Sequence, residues 1–426
     1  MEVTGPTKSQ SPALAIGFAS LVSALEWYDL VIFGFLGVIV AGQFFPAEDP
    51  TTSILLTFAT FGVAFILRPL GGLFFGIYTD RAGRARALWL AAVLMMIGTG
   101  AIAILPTYSA VGLWASVGVV IARLIQGFSA GGGFASSTAL LIEQSDRHRG
   151  FFGSWQIASQ GLTTVLAAGA SAALVHFFSQ DEIDGGAWRI PFLFGLLIGP
   201  LSVLMIRLVP EPAEFMTSER SETPLRETLA VHRFDLLVGI GITVLANVCS
   251  FFLLYVPTWA VSQLGMSTKM AFVAIMVAGA IQLILSPVFG HLGDRVGRVT
   301  IMKVASLAIL VSIVPGCTWL VSAPSAFSLL VVQAVFGLLH TAYFSSQPAL
   351  VSELFPVRTR GTGVSLAYNA SVTVFGGFAP FIMTALIALS GNKAAPSYYV
   401  MAAASISFIT LLVAGSRGNS QADGRV

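Results

Sequence analysis

Apolar runs long enough to cross a bilayer recur along almost the whole chain and leave it one kind of place to fold. A helix needs about 20 apolar residues to span the hydrocarbon. Such runs cover residues 14–42, 53–77, 87–106, 110–141, 150–178 and 188–209. A polar stretch at 210–234 follows, and then six more runs at 235–261, 270–291, 299–321, 326–352, 361–389 and 395–416. The longest extend past the lipid or tilt within it. Only 10% of the 426 residues are charged while 56% are hydrophobic. A soluble domain is about one quarter charged, and no water-soluble shape of this size hides so much apolar surface. The expected fold is an all-α membrane protein with twelve transmembrane helices in two six-helix, pseudo-symmetric halves. The N-terminal bundle is 1–209, the cytoplasmic linker loop 210–234 and the C-terminal bundle 235–426. The first run passes straight into Glu26 and Asp29 without a cleavage-like end, so it reads as a span, not a leader.

Lysine and arginine mark cytoplasmic loops. With both termini inside, the inner segments hold 17 of the 22 basic residues and the outer segments only Arg189, Lys269 and Lys393. Arg68 and Arg123 fall within spans. This split places both termini in the cytoplasm.

The stretch FGIYTDRAGR (75–84) recurs as FGHLGDRVGR (289–298), each after the second span of a half. Glu143 with Arg149-Gly150 likewise recurs as Glu353 with Arg360-Gly361. Two halves of the same orientation form a parallel repeat, an architecture that places a solute between the halves near mid-membrane. In the loop motif Gly76 and Gly83 allow close approach and a tight turn. Asp80 and Asp294 are placed to pair with arginines or to cap a helix N-terminus. A cytoplasmic gate is therefore expected from Gly76, Asp80, Arg81, Gly83, Arg84, Asp294, Arg295, Arg298, Glu143 and Glu353.

Glu26, Asp29, Arg68 and Arg123 are the clear ionisable acids and bases well inside spans. A charge at the bilayer centre costs about 2.5–3.5 kcal/mol, so mutual pairing of two acids with two bases is the economical arrangement. Glu26 and Asp29, three residues apart, share a helix face. An acid balanced between burial and a nearby arginine takes a proton on one side and releases it on the other. The arginine so freed suits a carboxylate, which it holds through a planar two-pronged contact. Glu26, Asp29 and Arg123 are the expected proton-coupling residues. Arg68, Arg123 and Tyr28 are the expected substrate contacts on this side.

The second half has no equivalent charge. Aligning Gly127 with Gly337 sets Gln333 opposite Arg123. His340, Tyr343 and Gln347 lie at i, i+3 and i+7, a polar stripe expected to face a cavity. Gln156, Gln160, Asn369 and Tyr368 are further substrate-binding candidates, with Asn247 behind them. Cys249 and Cys317 form no motif, and no phosphate loop, HExxH or Cys/His cluster occurs. Neither a metal, a cofactor nor an enzyme is expected, and a net charge of +2 argues against nucleic acid.

GGLFFGIYTDRAGRAR (71–86) and RLIQGFSAGG (123–132) resemble two signature motifs of the major facilitator superfamily. EWYDLVIFGFL, RPLGG (68–72) and RGFFGSWQIASQG (149–161) resemble the metabolite:proton symporter family, and RTRGTGVSLAYNASVTVFGGFAP (358–380) its citrate and tricarballylate carriers. The resemblance implies the twelve-helix fold, a bacterial inner-membrane location and proton symport, with Arg123 in coupling and Asp80 in gating. Where many relatives carry an acid after this glycine-rich run, the chain has Gly133, which throws the coupling role onto Glu26 or Asp29. Ala85 replaces one usual basic residue of the loop motif. The expectation is a monomeric, proton-coupled importer of a small organic anion, a di- or tricarboxylate such as citrate. The rivals are a carrier of zwitterions such as proline or betaine, and a membrane sensor built on the same fold.

Overall fold

The computed structural model describes residues 12–82, 84–142, 148–208, 224–356 and 359–422. Gly83, Glu143 and the side chains of Asp80, Arg81 and Arg84 lie outside the described residues. The described residues contain helices and no strand. Twelve helical spans are long and apolar enough to cross a membrane: Ile16–Phe35, Thr51–Gly76, Arg86–Ile104, Leu113–Phe134, Arg149–Phe177, Ala187–Leu204, Arg233–Leu264, Thr268–Val296, Arg298–Ser322, Ala326–Glu353, Arg360–Ser390 and Pro396–Ala414. They are numbered below as first to twelfth.

Local chemistry sets the ends. Asp49 caps the second span by accepting from the amides of Thr51 and Thr52, with Pro50 in the first turn. The hydroxyl of Thr52 and the amide of Thr51 hold the Asp49 carboxyl below its usual range. Ser325 and Ser328 close a reciprocal cap at the start of the tenth span. A short helix between the fifth and sixth spans, Gln180–Gly185, starts on the same device between Ser179 and Glu182, whose carboxyl the Ser179 amide and hydroxyl also hold low.

Breaks differ from the simple run reading. The run at 110–141 splits at Gly112, which turns with φ 60°, into Tyr108–Val111 and Leu113–Ile142. The run at 14–42 splits at Leu36 into Pro12–Phe35 and Gly37–Phe44. The polar stretch carries a helix, Pro224–Ala230, and the seventh span begins at Arg233.

Two proline breaks are put to use. Pro69 has no amide to offer the carbonyl four residues back. That carbonyl, on Phe65, instead accepts the Thr373 hydroxyl at 2.8 Å, tying the second span to the eleventh. Pro257 frees the Leu253 carbonyl in the same way, and it accepts Gln333 Nε2 at 3.3 Å.

The halves meet along two seams. The fifth span lies against the eighth through facing glycines. A Cβ on Gly161 would strike the backbone around Leu283, and one on Gly150 the carbonyl of Gly290. Small residues let membrane helices approach to backbone contact. The second and eleventh spans form the other seam.

At the loop-motif end the fifth–eighth seam is latched. The Asp294 carboxylate accepts the amides of Gly150 at 2.9 Å and Phe151 at 3.0 Å, so a residue of one half caps a helix of the other. Arg298 donates to Asp294 at 2.6 Å and also to Glu353. Arg295 is exposed. Gly76 lines a crevice between the second and eleventh spans.

Candidate functional site

Where the seams part, a cavity lies between the halves. Its polar wall is Gln160, Thr163 and Thr164 from the fifth span, Asn247 and Ser250 from the seventh, Gln282 from the eighth and His340 from the tenth. Its aromatic wall is Trp27, Phe35, Phe251 and Tyr368. None of its lining residues, among those described, is an acid, a lysine or an arginine. Two nitrogens at this wall are buried without a partner, Gln160 Nε2 and His340 Nδ1. The other ring nitrogen of His340 lies 3.0 Å from Ser250 Oγ and 3.1 Å from the Ala246 carbonyl.

A second, larger space lies against the other ends of the first, fifth and seventh spans and the start of the eighth, beside Gln180 and Asp184. Phe35 lines both spaces and packs on Phe272, ring centres 6.3 Å apart. The molecule is thus latched at the loop-motif end, with a vestibule toward the opposite end.

The charges sit one layer behind the cavity. Arg68 is 1% exposed and lies over the faces of Trp27 (5.0 Å) and Tyr368 (5.8 Å), both cavity-lining rings. Its Nε donates to Asn369 Oδ1 at 3.3 Å and one terminal nitrogen to the Ala130 carbonyl at 3.1 Å. The other terminal nitrogen, Nη1, is buried with no partner. Asn369 donates onward to the Gly131 carbonyl at 3.0 Å, so this arginine is part of the seam. The Glu26 carboxylate occupies the place a side chain at Gly133 would need, and its charge and that of Arg68 act on each other.

Arg123 is held inside the first half. It donates to the carbonyls of Leu30 (3.0 Å) and Phe61 (3.4 Å) and to Gln126 Oε1 (2.9 Å), under the rings of Phe33 and Phe61. Gln126 donates in turn to the Thr99 hydroxyl at 2.8 Å. Asp29 lies beyond Thr99, against Gly195 of the sixth span, fully buried and with no hydrogen-bond partner on either carboxylate oxygen.

Mutual pairing of the four charges is therefore corrected. No acid oxygen of Glu26 or Asp29 forms an ion pair with Arg68 or Arg123 among the described residues. The arginines give most of their donors to backbone carbonyls and the amide oxygens of Asn369 and Gln126, and lie over ring faces. The two acids diverge, Glu26 toward the fourth span and Asp29 toward the third and sixth.

The polar stripe also divides. His340 faces the cavity. Tyr343 turns its hydroxyl to the Ile242 carbonyl at 2.7 Å, and Gln347 lies outside the cavity past a break at Ser345–Ser346. Gln160 lines the wall, whereas Gln156 bridges Ser23 and Ser137. Tyr28 donates to the Pro191 carbonyl at 2.8 Å, away from the cavity. Sequence reasoning missed Trp27, Ser250, Gln282 and Gln126. Each of the last three is a polar residue in a mostly apolar helix, and Gln126 stands three residues from Arg123, on its face.

Two six-helix halves around a shared central cavity define a secondary transporter of the parallel-repeat type. The chain matches the Major Facilitator Superfamily over residues 14–315 and 276–424, and it belongs to that family. It is 34% identical over 385 residues to a citrate-proton symporter of Klebsiella pneumoniae, covering 89% of this chain and 86% of that one. It is 31% identical over 417 residues to a proline/betaine transporter of Escherichia coli (strain K12), covering 93% and 82%. A crystal structure of a D-xylose-proton symporter shares the fold at 18% identity, with a TM-score of 0.74 over 94% of this chain and 97% of that one. The chain is a multi-pass membrane transporter and not an enzyme.

Proposed function

We propose that this transporter is a proton-coupled symporter that imports a small organic anion, a tri- or dicarboxylate such as citrate, across the bacterial inner membrane with both termini in the cytoplasm. The observation that carries the reading is the unpartnered Nη1 of Arg68, directly behind Trp27 and Tyr368. A carboxylate that moves these rings aside completes the guanidinium's hydrogen bonding, and charge-assisted bonds of this kind are about twice as strong as neutral ones. Gln160 Nε2 donates to another of its oxygens, and His340 Nδ1, left as an acceptor because Nε2 faces the Ala246 carbonyl, takes a hydroxyl or protonated carboxyl of the solute.

Asp29 is the proton site. Its carboxyl has no ion pair among the described residues, and the Thr99 hydroxyl beside it is neutral, so no cation competes for the proton. The Thr99–Gln126–Arg123 chain ties its surroundings to the first and second spans. Glu26 balances Arg68 until the substrate arrives. The chain works as a monomer, and the latch at Asp294 shuts the cytoplasmic end while the vestibule faces outward. The likeness to the Klebsiella pneumoniae symporter supports the substrate class.

One observation favours a second reading. The cavity wall has four aromatic residues and no formal charge among its described members, a surface that suits a quaternary ammonium. The proline/betaine relative points the same way. Uptake of labelled citrate into proteoliposomes under an inward proton gradient decides. Uptake abolished by an uncoupler and blocked by tricarboxylates is expected. Uptake that betaine blocks and tricarboxylates leave alone would transfer the protein to the zwitterion carriers.

A further inference from the structure

The tenth span is interrupted between Ala326–Phe344 and Gln347–Glu353, with Pro348 just past the break. Ser346 and Gln347 are fully buried there. The hydroxyl of Ser346 and both amide atoms of Gln347 have no hydrogen-bond partner, and neither residue lines the central cavity. Buried polar groups are nearly always paired, so three unpaired atoms on adjacent residues need a reason.

Their position supplies one. The Ser346 hydroxyl lies where a side chain on Gly293 of the eighth span would go, and Pro348 lies against Gly153 of the fifth span. Gly293 precedes Asp294, which latches the fifth span. The Ser346 hydroxyl therefore sits beside the seam that must part when this end opens, and Gln347 stands between it and Pro348, which packs on the fifth span. Gln347 is seven residues beyond the cavity-lining His340, about 10 Å along a helix, toward the latched end.

We infer that Ser346 and Gln347 form a second polar station for the transported solute, between the central cavity and the latched end. Its groups are unmet while the seam is shut and receive the oxygens of a small organic acid as it leaves. A primary amide both donates and accepts, and a hydroxyl does the same. Both are neutral, so the station hands the solute on without the hold of a charged pair. The inference rests on the alternating-access reading above. It also carries a sign, because each unpaired buried group disfavours the latched state.

The test uses the full-length protein in proteoliposomes, with Cys249 and Cys317 changed to alanine. Spin labels go at His148→Cys and His291→Cys, whose rings lie 6.3 Å apart across the latched end. In Gln347→Met, and separately in Ser346→Ala, the latched population is expected to rise about tenfold over the open one. Citrate binding from the vestibule side should stay within about twofold, while citrate exchange slows about tenfold or more. Unchanged exchange in both variants overturns the station, whatever the labels show. Lost citrate binding with an unchanged label distance also overturns it, because Gln347 then belongs to the central site. If the unmodified protein carries betaine and not citrate, labelled betaine is the probe, and the substrate assignment falls without the station.

Discussion

Arg123 in the fourth span and Gln333 in the tenth hold equivalent places in the two repeats, and each donates to a carbonyl in the first span of its own half. Arg123 reaches Leu30, and Gln333 reaches Leu253 at 3.3 Å. The tie between helices is the same, and only the charge differs. The contrast extends across the cavity. Glu26, Asp29, Arg68 and Arg123 all belong to the first half, whereas the second contributes His340, Asn247, Ser250 and Gln282 to the wall. Gln333 shows that a neutral amide suffices to join two helices. Replacing buried charges by apolar groups is often neutral for stability. Charge in the first half therefore calls for a reason other than packing, and the proposed coupling of a proton to an anion would supply it.

The largest effect should follow from making Arg68 a poorer fork while keeping its charge. Arg68→Lys retains a cation but not the planar set of donors. Loss of one charge-assisted contact predicts about a 100-fold fall in citrate uptake efficiency, with the circular dichroism spectrum unchanged and only a modest drop in detergent stability from the lost bonds to Asn369 and Ala130. Uptake within a fewfold of the parent would move the anion contact into the neutral half and dissolve the contrast.

Next is Asp29→Asn. The amide keeps the shape but cannot release a proton. Accumulation against a gradient should disappear, while exchange of citrate across the membrane persists. In the parent, uptake should rise as the outer pH falls, because protons are then supplied on the side of the vestibule. In the variant, exchange should lose that dependence. Proton-driven accumulation by Asp29→Asn would hand the coupling role to Glu26, which a matching Glu26→Gln assay would then register.

These predictions rest on placements that the sequence made legible to unequal degrees. The twelve spans, the repeat and the four buried charges follow from runs and spacings that helix length and desolvation cost fix. The phase of each helix about its axis is harder to read. Tyr28 and Trp27 are adjacent and both aromatic, yet Trp27 lines the cavity while Tyr28 reaches Pro191. His340 and Gln347 share a stripe, but the break at Ser345–Ser346 separates their surroundings. The expected salt bridges did not form because the arginines find other acceptors that no charge count includes, the carbonyls of Ala130, Leu30 and Phe61 and the amide oxygens of Asn369 and Gln126.

A smaller effect tests the latch. Asp294→Asn keeps a cap for the fifth span but loses the negative charge at its N-terminus and the ion pair to Arg298. Such a contact is worth about 1 kcal/mol, up to about 2 in a partly buried site, or roughly five- to thirty-fold in the ratio of latched to open molecules. Spin labels across the latched end should report more open protein, with transport slowed and not abolished. An unchanged ratio would leave Asp294 as a cap with no part in gating.

The smallest effect returns to the starting pair. Gln333→Leu leaves the Leu253 carbonyl, freed by Pro257, without its donor. An unmade buried bond of this kind costs about 1–3 kcal/mol, which should appear as a lower melting temperature in detergent. Citrate uptake and its pH dependence should be unaffected, because Gln333 carries no charge and does not line the cavity. Arg123→Gln imposes the second half's chemistry on the first. It should cost comparably little stability yet abolish proton-driven uptake. If both variants lose only stability, the charge of Arg123 is structural, and proton coupling rests on Asp29 and Glu26 alone.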